Sequence, residues 1–279
     1  MRVLRVRVLD SRGTESVTGS FGYLSSVYKV VDSTDGYCYA LRRVERVRTN
    51  NEIVVRVCVW RECEMMTVQR WAKLLHPSII SLHDCFLSNG AVFFVHEYYP
   101  SAISLSNRYL SVSACGWREG QNAVSSPPLN EDILWCVAIQ LLSGLQAIHG
   151  YDLSCRVIDC RHVLETERNR YRIGSVGVMD VLEPRSNQRE LQMQDCRQVG
   201  EVLVALGSRG SALCELKTVR VRYSDRLSHV VEVLLSGDRS ASAVLEECTP
   251  ELVKTLNSTL STADTYYRYL VRVVVCVEG

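Results

Sequence analysis

The hydrophobic period of this chain changes partway along its length. Up to about residue 100, short apolar runs are separated by turn residues, which is typical of β-strands. Beyond residue 130, apolar residues recur with the spacing of a helix face over longer segments. A strand-rich front followed by a helix-rich back predicts an α+β fold with two lobes that join near residues 97–101.

The front part predicts a strand–strand–helix–strand–strand unit. Its Asp35-Gly36 pair lies between two apolar runs, which is a strong signal for a hairpin turn. The apolar residues of 53–75 instead fit one face of a helix, which His76-Pro77 ends. The predicted elements are a strand in residues 1–10, strands Val27–Val31 and Tyr37–Val44, a helix over 53–75, and strands Ile80–Phe86 and Ala91–Glu97.

The back part predicts a helical lobe. Residues 101–130 are rich in serine and indicate a loop insertion, ahead of a long helix that Asn130 caps. The predicted elements that follow are a helix Ile133–His149, strands near Val163-Leu164 and Tyr171–Ile173, a helix from about Asp195 to Leu206, and helices over 224–262 with breaks at Gly237 and Pro250. We therefore divide the chain into an N-lobe, residues 1–100, and a C-lobe, residues 101–279.

Composition argues against several classes of protein. The 12 cysteines form no Cys-x-x-Cys pair, and no His-x-x-x-His run accompanies them, so we predict a reduced, cytosolic protein without a zinc site. No apolar run approaches the roughly 18 residues that span a bilayer, so we expect no membrane segment. The net charge of +1 gives no overall attraction for nucleic acid.

Five segments, in chain order, resemble segments of protein kinases. They correspond to the glycine-loop strand, the Val-Ala-Ile-Lys strand, the His-Pro-Asn-Ile-Val segment, the hinge and the start of the central C-lobe helix. In this sequence they are Val27–Lys29, Tyr39–Arg43, His76–Leu82, Val95–Tyr98 and Asp195–Gly200. Together they imply a protein-kinase-like fold with a β-rich N-lobe and an α-helical C-lobe.

The residues that perform phosphoryl transfer in kinases are replaced. Against the kinase pattern, the catalytic base becomes Val157, the loop lysine becomes Asp159 and a metal-binding asparagine becomes His162. The Asp-Phe-Gly segment becomes Ser175-Val176-Gly177, which removes the main magnesium carboxylate. Valine accepts no proton, and a hydroxyl with an imidazole is a poor magnesium site. The resemblance therefore implies a pseudokinase with no catalytic residue and no metal site.

The phosphate-binding part of a kinase is only partly kept. The three glycine-loop positions fall on Ser20, Gly22 and Ser25, so one glycine remains. The lysine that binds phosphate in kinases is replaced by Arg42, which keeps the charge on a longer, planar group. Glu64 lies about one helical turn from the position of the glutamate that pairs with that lysine, and it is a candidate substitute.

The resemblance implies that ATP, if held, lies between the lobes without a metal ion. Val27 and Ala40 would cover the base, Leu164 would lie beneath it, and Arg42 would bind phosphate. The full set of implied cofactor-binding residues is Gly22, Val27, Ala40, Arg42, Glu97, Tyr98 and Leu164, with Glu97 and Tyr98 acting through their main chain.

Other matching residues have structural interpretations. Arg156 and Asp195 match positions that brace the catalytic loop, and His96 is expected to be a satisfied, semi-buried histidine behind the nucleotide pocket. Asp159 is expected to pair with Arg161 or Arg156. For the arginine run of Arg42, Arg43, Arg46 and Arg48, a solvated face and a phosphate or RNA contact both stay open.

Four longer runs resemble one kind of pseudokinase. They are Asp35–Val44, Met65–Phe86, Leu134–His149 with the Leu153–Asp159 that follows it, and Val176–Val181. They are similar to the regulatory pseudokinase subunit of the Pan poly(A)-nuclease deadenylation complex, and the Cys-Arg-Val and Val-Gly pieces are not carried by ordinary kinases. The resemblance implies a non-catalytic adaptor that binds the catalytic poly(A)-nuclease subunit and contacts poly(A) RNA and poly(A)-binding protein. It also implies a role in mRNA poly(A)-tail shortening in the cytoplasm and P-bodies.

Some features of that family have no counterpart that we find in this sequence. These are its zinc finger, its motif for poly(A)-binding protein and its dimerising coiled coil, so homodimerisation is left open. Two alternative functions also stay open. One is a divergent active protein kinase that uses Asp159 or Glu64 in new roles, and the other is a kinase-fold interaction module that binds no nucleotide.

Overall fold

The structure is a computed structural model that describes residues 6–10, 21–45, 62–111, 128–184, 187–209 and 215–254, with only the main chain for 6–10 and 62–66. Its strands are β1 Val6–Asp10, β2 Leu24–Asp32, β3 Cys38–Glu45, β4 Leu82–Ser88, β5 Ala91–Glu97, β6 Ile103–Ser104, β7 Val163–Glu167 and β8 Arg170–Ile173. Its helices are α1 Glu62–Lys73, α2 Glu131–Gly150, α3 Val178–Leu182, α4 Gln188–Gly207, α5 Leu216–Arg222, α6 Asp225–Ser236 and α7 Ala241–Glu247.

The N-lobe is one antiparallel sheet of strand order β1-β2-β3-β5-β4, with α1 packed against β4. Side chains alternate along β3 because successive residues of a strand point to opposite faces. Leu41 joins a small cluster on the outer face, whereas Val44 joins the main core that continues into the C-lobe. Arg42 shares the inner face with Val44, and this places its guanidinium toward the C-lobe.

The same alternation separates two members of the arginine run. Arg43 lies on the outer face of β3 and pairs with Glu45 at 3.4 Å, so it does not stand beside Arg42. Strand pleating separates neighbours that the sequence places together. Arg46 and Arg48 lie outside the described residues.

The predicted N-lobe elements are confirmed where the structure describes them. The Asp35-Gly36 turn joins β2 and β3, with Gly36 at φ 74°, and β1 forms in the basic, apolar N-terminal stretch. The predicted helix of 53–75 is present as α1, and residues 53–61 lie outside the described part of the chain.

The C-lobe is built around α2, which packs against α4, α7 and β8. The Asn130 side chain accepts a hydrogen bond from the Asp132 amide at 3.0 Å, which confirms the predicted cap. This helix is long and apolar enough to cross a bilayer by length and mean hydropathy, which corrects our statement that no segment approaches that limit. Its apolar character has a different cause, because ten of its residues are buried in the core of the lobe.

The helix predicted from Asp195 begins earlier, at Gln188. Its first turns are mostly Gln, Arg and Glu, so the sequence has no apolar periodicity there that would predict a helix. The break at Gly237 is confirmed, because this glycine ends α6 with φ 67° in the left-handed region. In the predicted insertion 101–130, residues 103–104 form β6 and Ser106–Leu110 form one turn of π-helix, whereas 112–127 lie outside the described residues.

The chain passes between the lobes at the hinge, and a second N-lobe segment is hydrogen-bonded to the C-lobe. The five-stranded sheet ends at Glu97, and a turn follows in which the Ala102 amide donates to the Tyr99 carbonyl. The second segment precedes β4, where Ile80 and Ser78 exchange main-chain hydrogen bonds with Ile173 at 2.9 and 2.8 Å. One apolar core runs through both lobes, so side chains from both can meet at fixed positions.

Candidate functional site

A buried aspartate in the first half of α4 holds the catalytic-loop segment. Asp195 is fully buried and accepts hydrogen bonds from the main-chain amides of Cys155 at 2.7 Å and Arg156 at 2.6 Å. His149 contributes a third contact through Nε2 at 3.1 Å. Arg156 has φ 66°, a conformation that costs free energy and that these bonds maintain. The predicted bracing role of Asp195 is confirmed.

The Arg156 side chain fixes the segment that follows Gly177. Its guanidinium donates to the carbonyl oxygens of Met179 at 2.7 Å and Glu183 at 2.5 Å. It also forms ion pairs with the carboxylates of Glu183 at 3.6 Å and Asp180 at 3.9 Å. Because this arginine is nearly fully buried, these contacts satisfy a charge that would otherwise be costly to desolvate.

The loop from Arg156 to His162 lacks the carboxylate that acts as the base in kinases. Val157, at the position of the kinase base, is a buried apolar side chain. Asp159 Oδ1 accepts hydrogen bonds from the amides of Arg161 at 2.7 Å and His162 at 3.0 Å, and lies 2.9 Å from His162 Nδ1. We expected an arginine guanidinium as its partner, and the structure shows main-chain amides and an imidazole in that role. An aspartate readily bonds amides two and three residues ahead of it, which explains the difference.

Arg42 connects three parts of the site. Its Nη2 donates to the Ser175 hydroxyl at 2.8 Å, and its Nη1 donates to the Ser25 hydroxyl at 3.1 Å. Burial lowers the pKa of its guanidinium to about 10, so the group remains charged at pH 7. A cation on β3 of the N-lobe therefore bonds directly to the residue that replaces the magnesium-binding aspartate of kinases.

An aromatic side chain lies between Arg42 and the catalytic loop. Phe21 is only 4% exposed, and its ring meets the His162 imidazole edge to face at a centroid distance of 4.6 Å. The Arg42 guanidinium carbon is 5.2 Å from the centre of the same ring. Two residues later, the Tyr23 hydroxyl donates to Glu183 at 3.2 Å. Residues 21–25 therefore lie over the C-lobe at the end of the cleft where kinases bind phosphate.

The residues predicted to hold the base of a nucleotide lie along the same cleft. Val27 pairs with Arg42 across β2 and β3, and Ala40 pairs with His96 across β3 and β5. Both are half-buried, as is Leu164 on β7. Their role in covering a base stays a prediction, and so does that of Gly22, which has φ 70°.

Part of the hinge main chain is hydrogen-bonded within the N-lobe sheet. The Glu97 amide donates to the Ser81 carbonyl at 3.0 Å, which continues the pairing of β4 with β5. That the main chain of Glu97 and Tyr98 bonds the base stays a prediction. Lys29 extends over the Tyr98 ring, with Nζ 4.9 Å from its centre, and covers the front of this segment.

His96 lies at the back of the cleft, as predicted, and is more deeply buried than expected. Its Nε2 donates to the Val176 carbonyl at 3.1 Å, which satisfies the ring. Burial lowers the pKa of His96 to about 4, with Arg42 adding to the effect, so the imidazole is neutral at pH 7. The side chain of Glu64, our candidate partner for Arg42, lies outside the described residues.

Sequence reasoning missed the aromatic contacts of the site. Phe21 and Tyr23, the two aromatic residues that flank Gly22, form contacts that were not predicted. It also missed the hydrogen bond that Trp71 Nε1 donates to Asp180 at 2.9 Å, which joins α1 to the segment after Gly177. Large aromatics in a loop that approaches phosphates in kinases were the available signal.

No family model matches the chain. The chain is 31% identical over 261 residues to the PAN2-PAN3 deadenylation complex subunit PAN3 of Aspergillus clavatus, covering 88% of this chain and 37% of the relative. It is also 31% identical over 231 residues to the corresponding subunit of Dictyostelium discoideum, covering 77% of this chain and 28% of the relative. The chain thus spans about a third of the length of these curated relatives.

Solved structures show the same relationship. A complex of Neurospora crassa PAN2 (WD40-CS1) with PAN3 (pseudokinase and C-term) matches with a TM-score of 0.75 at 25% identity, covering 96% of this chain and 66% of that one. The Drosophila melanogaster PAN3 pseudokinase matches with a TM-score of 0.77 at 22% identity, covering 96% and 70%. These matches confirm the two-lobed, kinase-like α+β fold. The sequence relatives show that the chain is a homologue of PAN3 subunits over the part of their length that it spans.

Proposed function

We propose that this chain is the pseudokinase module of a regulatory subunit in a PAN2–PAN3-type deadenylation complex, where it binds the catalytic nuclease subunit and transfers no phosphate itself. The observation that carries the proposal is the contrast within one loop. Asp195 and Arg156 hold the loop in a kinase-like arrangement, whereas Val157 occupies the position of the base. A fold that keeps its scaffold and loses its reactive groups is suited to binding partners.

The electrostatics of the site support the same proposal. In a kinase, a carboxylate at the position of Ser175 holds a magnesium ion beside the phosphates. Here the guanidinium of Arg42 is 2.8 Å from the Ser175 hydroxyl. A fixed positive charge there repels a divalent cation instead of binding it. Loss of the base and of the metal site together leaves no route for activating a hydroxyl nucleophile.

ATP binding without hydrolysis is part of the proposal. Arg42 would supply the positive charge for the phosphates, with Gly22 nearby. The base would lie between Val27 and Ala40 above and Leu164 below, against the main chain of Glu97 and Tyr98. Support comes from Arg42 itself, because its hydrogen-bond partners in the described residues are neutral hydroxyls, and a phosphate would be a stronger partner.

The remaining attributes follow from the relatives. We propose a role in mRNA poly(A)-tail shortening in the cytoplasm, including P-bodies, and contact with poly(A) RNA and poly(A)-binding protein through the assembled complex. A homodimer is a further proposal that comes from the family resemblance. The names of the relatives, which are subunits of PAN2–PAN3 deadenylation complexes, support the role in deadenylation, and the other points come from the family resemblance.

Co-purification tests the adaptor proposal. The tagged 279-residue chain is expressed in its source cell and purified under mild conditions, beside an active protein kinase domain with the same tag. We expect a poly(A) exonuclease related to PAN2 to co-purify with the chain alone, and we expect added chain to change the rate of poly(A) shortening by that nuclease. A chain that captures no such nuclease and leaves its rate unchanged would show that the adaptor proposal is wrong.

A phosphotransfer assay tests the inactive-enzyme proposal. The chain is incubated with γ-labelled ATP and generic protein substrates, with magnesium and then with manganese, and Arg42→Ala serves as the matched control. We expect incorporation at the level of the no-protein blank for both proteins, because Val157 and Ser175 stand at the positions of the kinase base and of the main metal carboxylate. Incorporation that disappears in Arg42→Ala would support the alternative of a divergent active kinase.

A further inference from the structure

We infer that Phe21 is a built-in plug of the cleft, which must leave its place before a triphosphate can reach Arg42. This inference rests on the ATP binding proposed above and concerns how that binding is controlled. The Phe21 ring lies between the Arg42 guanidinium, at 5.2 Å, and the His162 imidazole, at 4.6 Å. These are the two residues that stand where kinases hold phosphate and metal.

The plug and a phosphate group compete for the same cation. Arg42 is desolvated, and in the described part of the chain its contacts are two serine hydroxyls and the face of the Phe21 ring. A ring face attracts a guanidinium through its quadrupole, but the attraction is weaker than that of a charged oxygen. The ring therefore stabilises the charge of Arg42 in the closed arrangement. A phosphate anion, which attracts the guanidinium more strongly, can displace it.

The chain provides a pivot for this movement next to the plug. Gly22 is exposed at φ 70°, and a Cβ placed on it would meet no atom within 4 Å. Glycine reaches both halves of φ space at little cost, so rotation here swings the residue before it. The residues after it are anchored, because Tyr23 bonds Glu183 and Ser25 bonds Arg42. Opening at Gly22 therefore moves Phe21 while β2 stays in register.

The free energy needed to withdraw Phe21 reduces the observed affinity for the ligand. Phe21 is 4% exposed in the closed arrangement, so withdrawing it exposes an apolar ring to water. An apparent dissociation constant rises in inverse proportion to the fraction of molecules that are open. We therefore expect the chain to bind ATP weakly for as long as Phe21 is present, and any partner that holds residue 21 outward would raise nucleotide affinity.

Calorimetric titration in EDTA tests the plug with three probes. ATP reports the whole site, inorganic tripolyphosphate reports the phosphate end alone, and adenosine reports the base end alone. The variants are Phe21→Ala and the matched control Phe86→Ala, whose ring stacks on Phe93 at 5.1 Å on the outer face of the sheet. We expect Phe21→Ala to bind ATP and tripolyphosphate about tenfold more tightly than wild type, with adenosine affinity unchanged. Phe86→Ala should match wild type for all three probes.

The outcomes separate the plug from the ATP proposal. Equal ATP affinity in wild type and Phe21→Ala would show that the plug is wrong and leave ATP binding intact. Binding of ATP by neither protein would overturn both, while the nuclease co-purification would still decide the adaptor proposal. A gain that is equal for adenosine and tripolyphosphate would indicate general loosening of the cleft and would also contradict a plug at the phosphate end.

A second variant covers the case in which Phe21→Ala fails to fold. Phe21→Leu keeps an apolar side chain at the position but removes the ring face that contacts Arg42. We expect Phe21→Leu to bind ATP more tightly than wild type. The gain in affinity should again be confined to ATP and tripolyphosphate. Hydrogen exchange of wild type supplies an independent reading, because added ATP should increase exchange at residues 21–22 and decrease it at the hinge. Protection at both segments would overturn the plug.

Discussion

Asp180 is a carboxylate held where its neutral form is preferred. Its side chain is only 10% exposed, and burial raises its pKa to about 6, although the Trp71 indole and the nearby Arg156 favour its charge. The folded pKa therefore lies above the unfolded value of 3.8. For an acid shifted in this direction, the protonated form stabilises the fold, and that contribution is lost as the pH rises through about 6.

Replacing Asp180 with asparagine removes this titration while keeping an oxygen for the Trp71 hydrogen bond. We expect the unfolding free energy of Asp180→Asn, measured relative to wild type, to rise between pH 5 and pH 7.5 by on the order of 1 kcal/mol. Urea unfolding of both proteins at several pH values measures this difference. A difference that stays constant across the range, or that falls, would contradict the raised pKa.

The segment from Ser175 to Glu183 is the element on which the site converges. N-lobe side chains bind it at several points, through Arg42 to Ser175, His96 to the Val176 carbonyl and Trp71 to Asp180. Gly177 lets the chain turn into α3, with φ 76°. A Cβ at this glycine would lie 2.7 Å from Leu82 Cδ2 and 3.2 Å from the Trp71 ring, so both conformation and space require glycine.

Gly177→Ala should therefore be much more destabilising than a glycine replacement that meets only backbone strain. The matched control is Gly36→Ala, which has φ 74° but no atom within 4 Å of the new Cβ. We expect a loss of about 1–2 kcal/mol in the unfolding free energy for Gly36→Ala, from the left-handed conformation alone. Gly177→Ala should lose about 1–3 kcal/mol more, from overpacking against buried side chains. Equal losses in urea unfolding would show that the contacts around Gly177 relax freely.

At the scale of the whole molecule, the lobes are joined by side chains as well as by the hinge. Arg42 to Ser175, Tyr23 to Glu183 and Phe21 to His162 all cross the cleft at its phosphate end. In a kinase, this end is held by magnesium and triphosphate, which neutralise each other. Here one of the contacts across the cleft is made by a cation of the protein itself, the guanidinium of Arg42.

ATP binding should therefore be indifferent to magnesium. We expect the dissociation constant of ATP for wild type to be unchanged between magnesium and EDTA in calorimetric titration, because Arg42 and not a metal ion meets the phosphates. Asp159→Ala is the control variant, since Asp159 lies close in sequence to His162, one of the two replaced metal-ligand positions. A magnesium requirement in wild type that vanishes in Asp159→Ala would reveal a new metal site and contradict this prediction.

Local chemistry decided what could be predicted from the sequence. The hairpin turn at Asp35-Gly36, the cap at Asn130 and the replacements in the catalytic loop all depend on residues within a few positions of one another, so the order of elements and the loss of the reactive groups could be read directly. The bracing role of Asp195 could be predicted because the segment Asp195–Gly200 resembles the start of the central kinase helix and the catalytic-loop segment is also recognisable.

The tertiary structure alone decided what replaces the lost chemistry. The bond from Arg42 to Ser175 joins residues 133 positions apart, and that from Tyr23 to Glu183 joins residues 160 apart. Strand alternation placed Arg42 inside and Arg43 outside, although the two are adjacent in the sequence. In the sequence Phe21 is an ordinary loop aromatic, and only the packing of the two lobes shows its contacts with Arg42 and His162. Contacts of this kind depend on how the lobes pack, and no local pattern of residues contains that information.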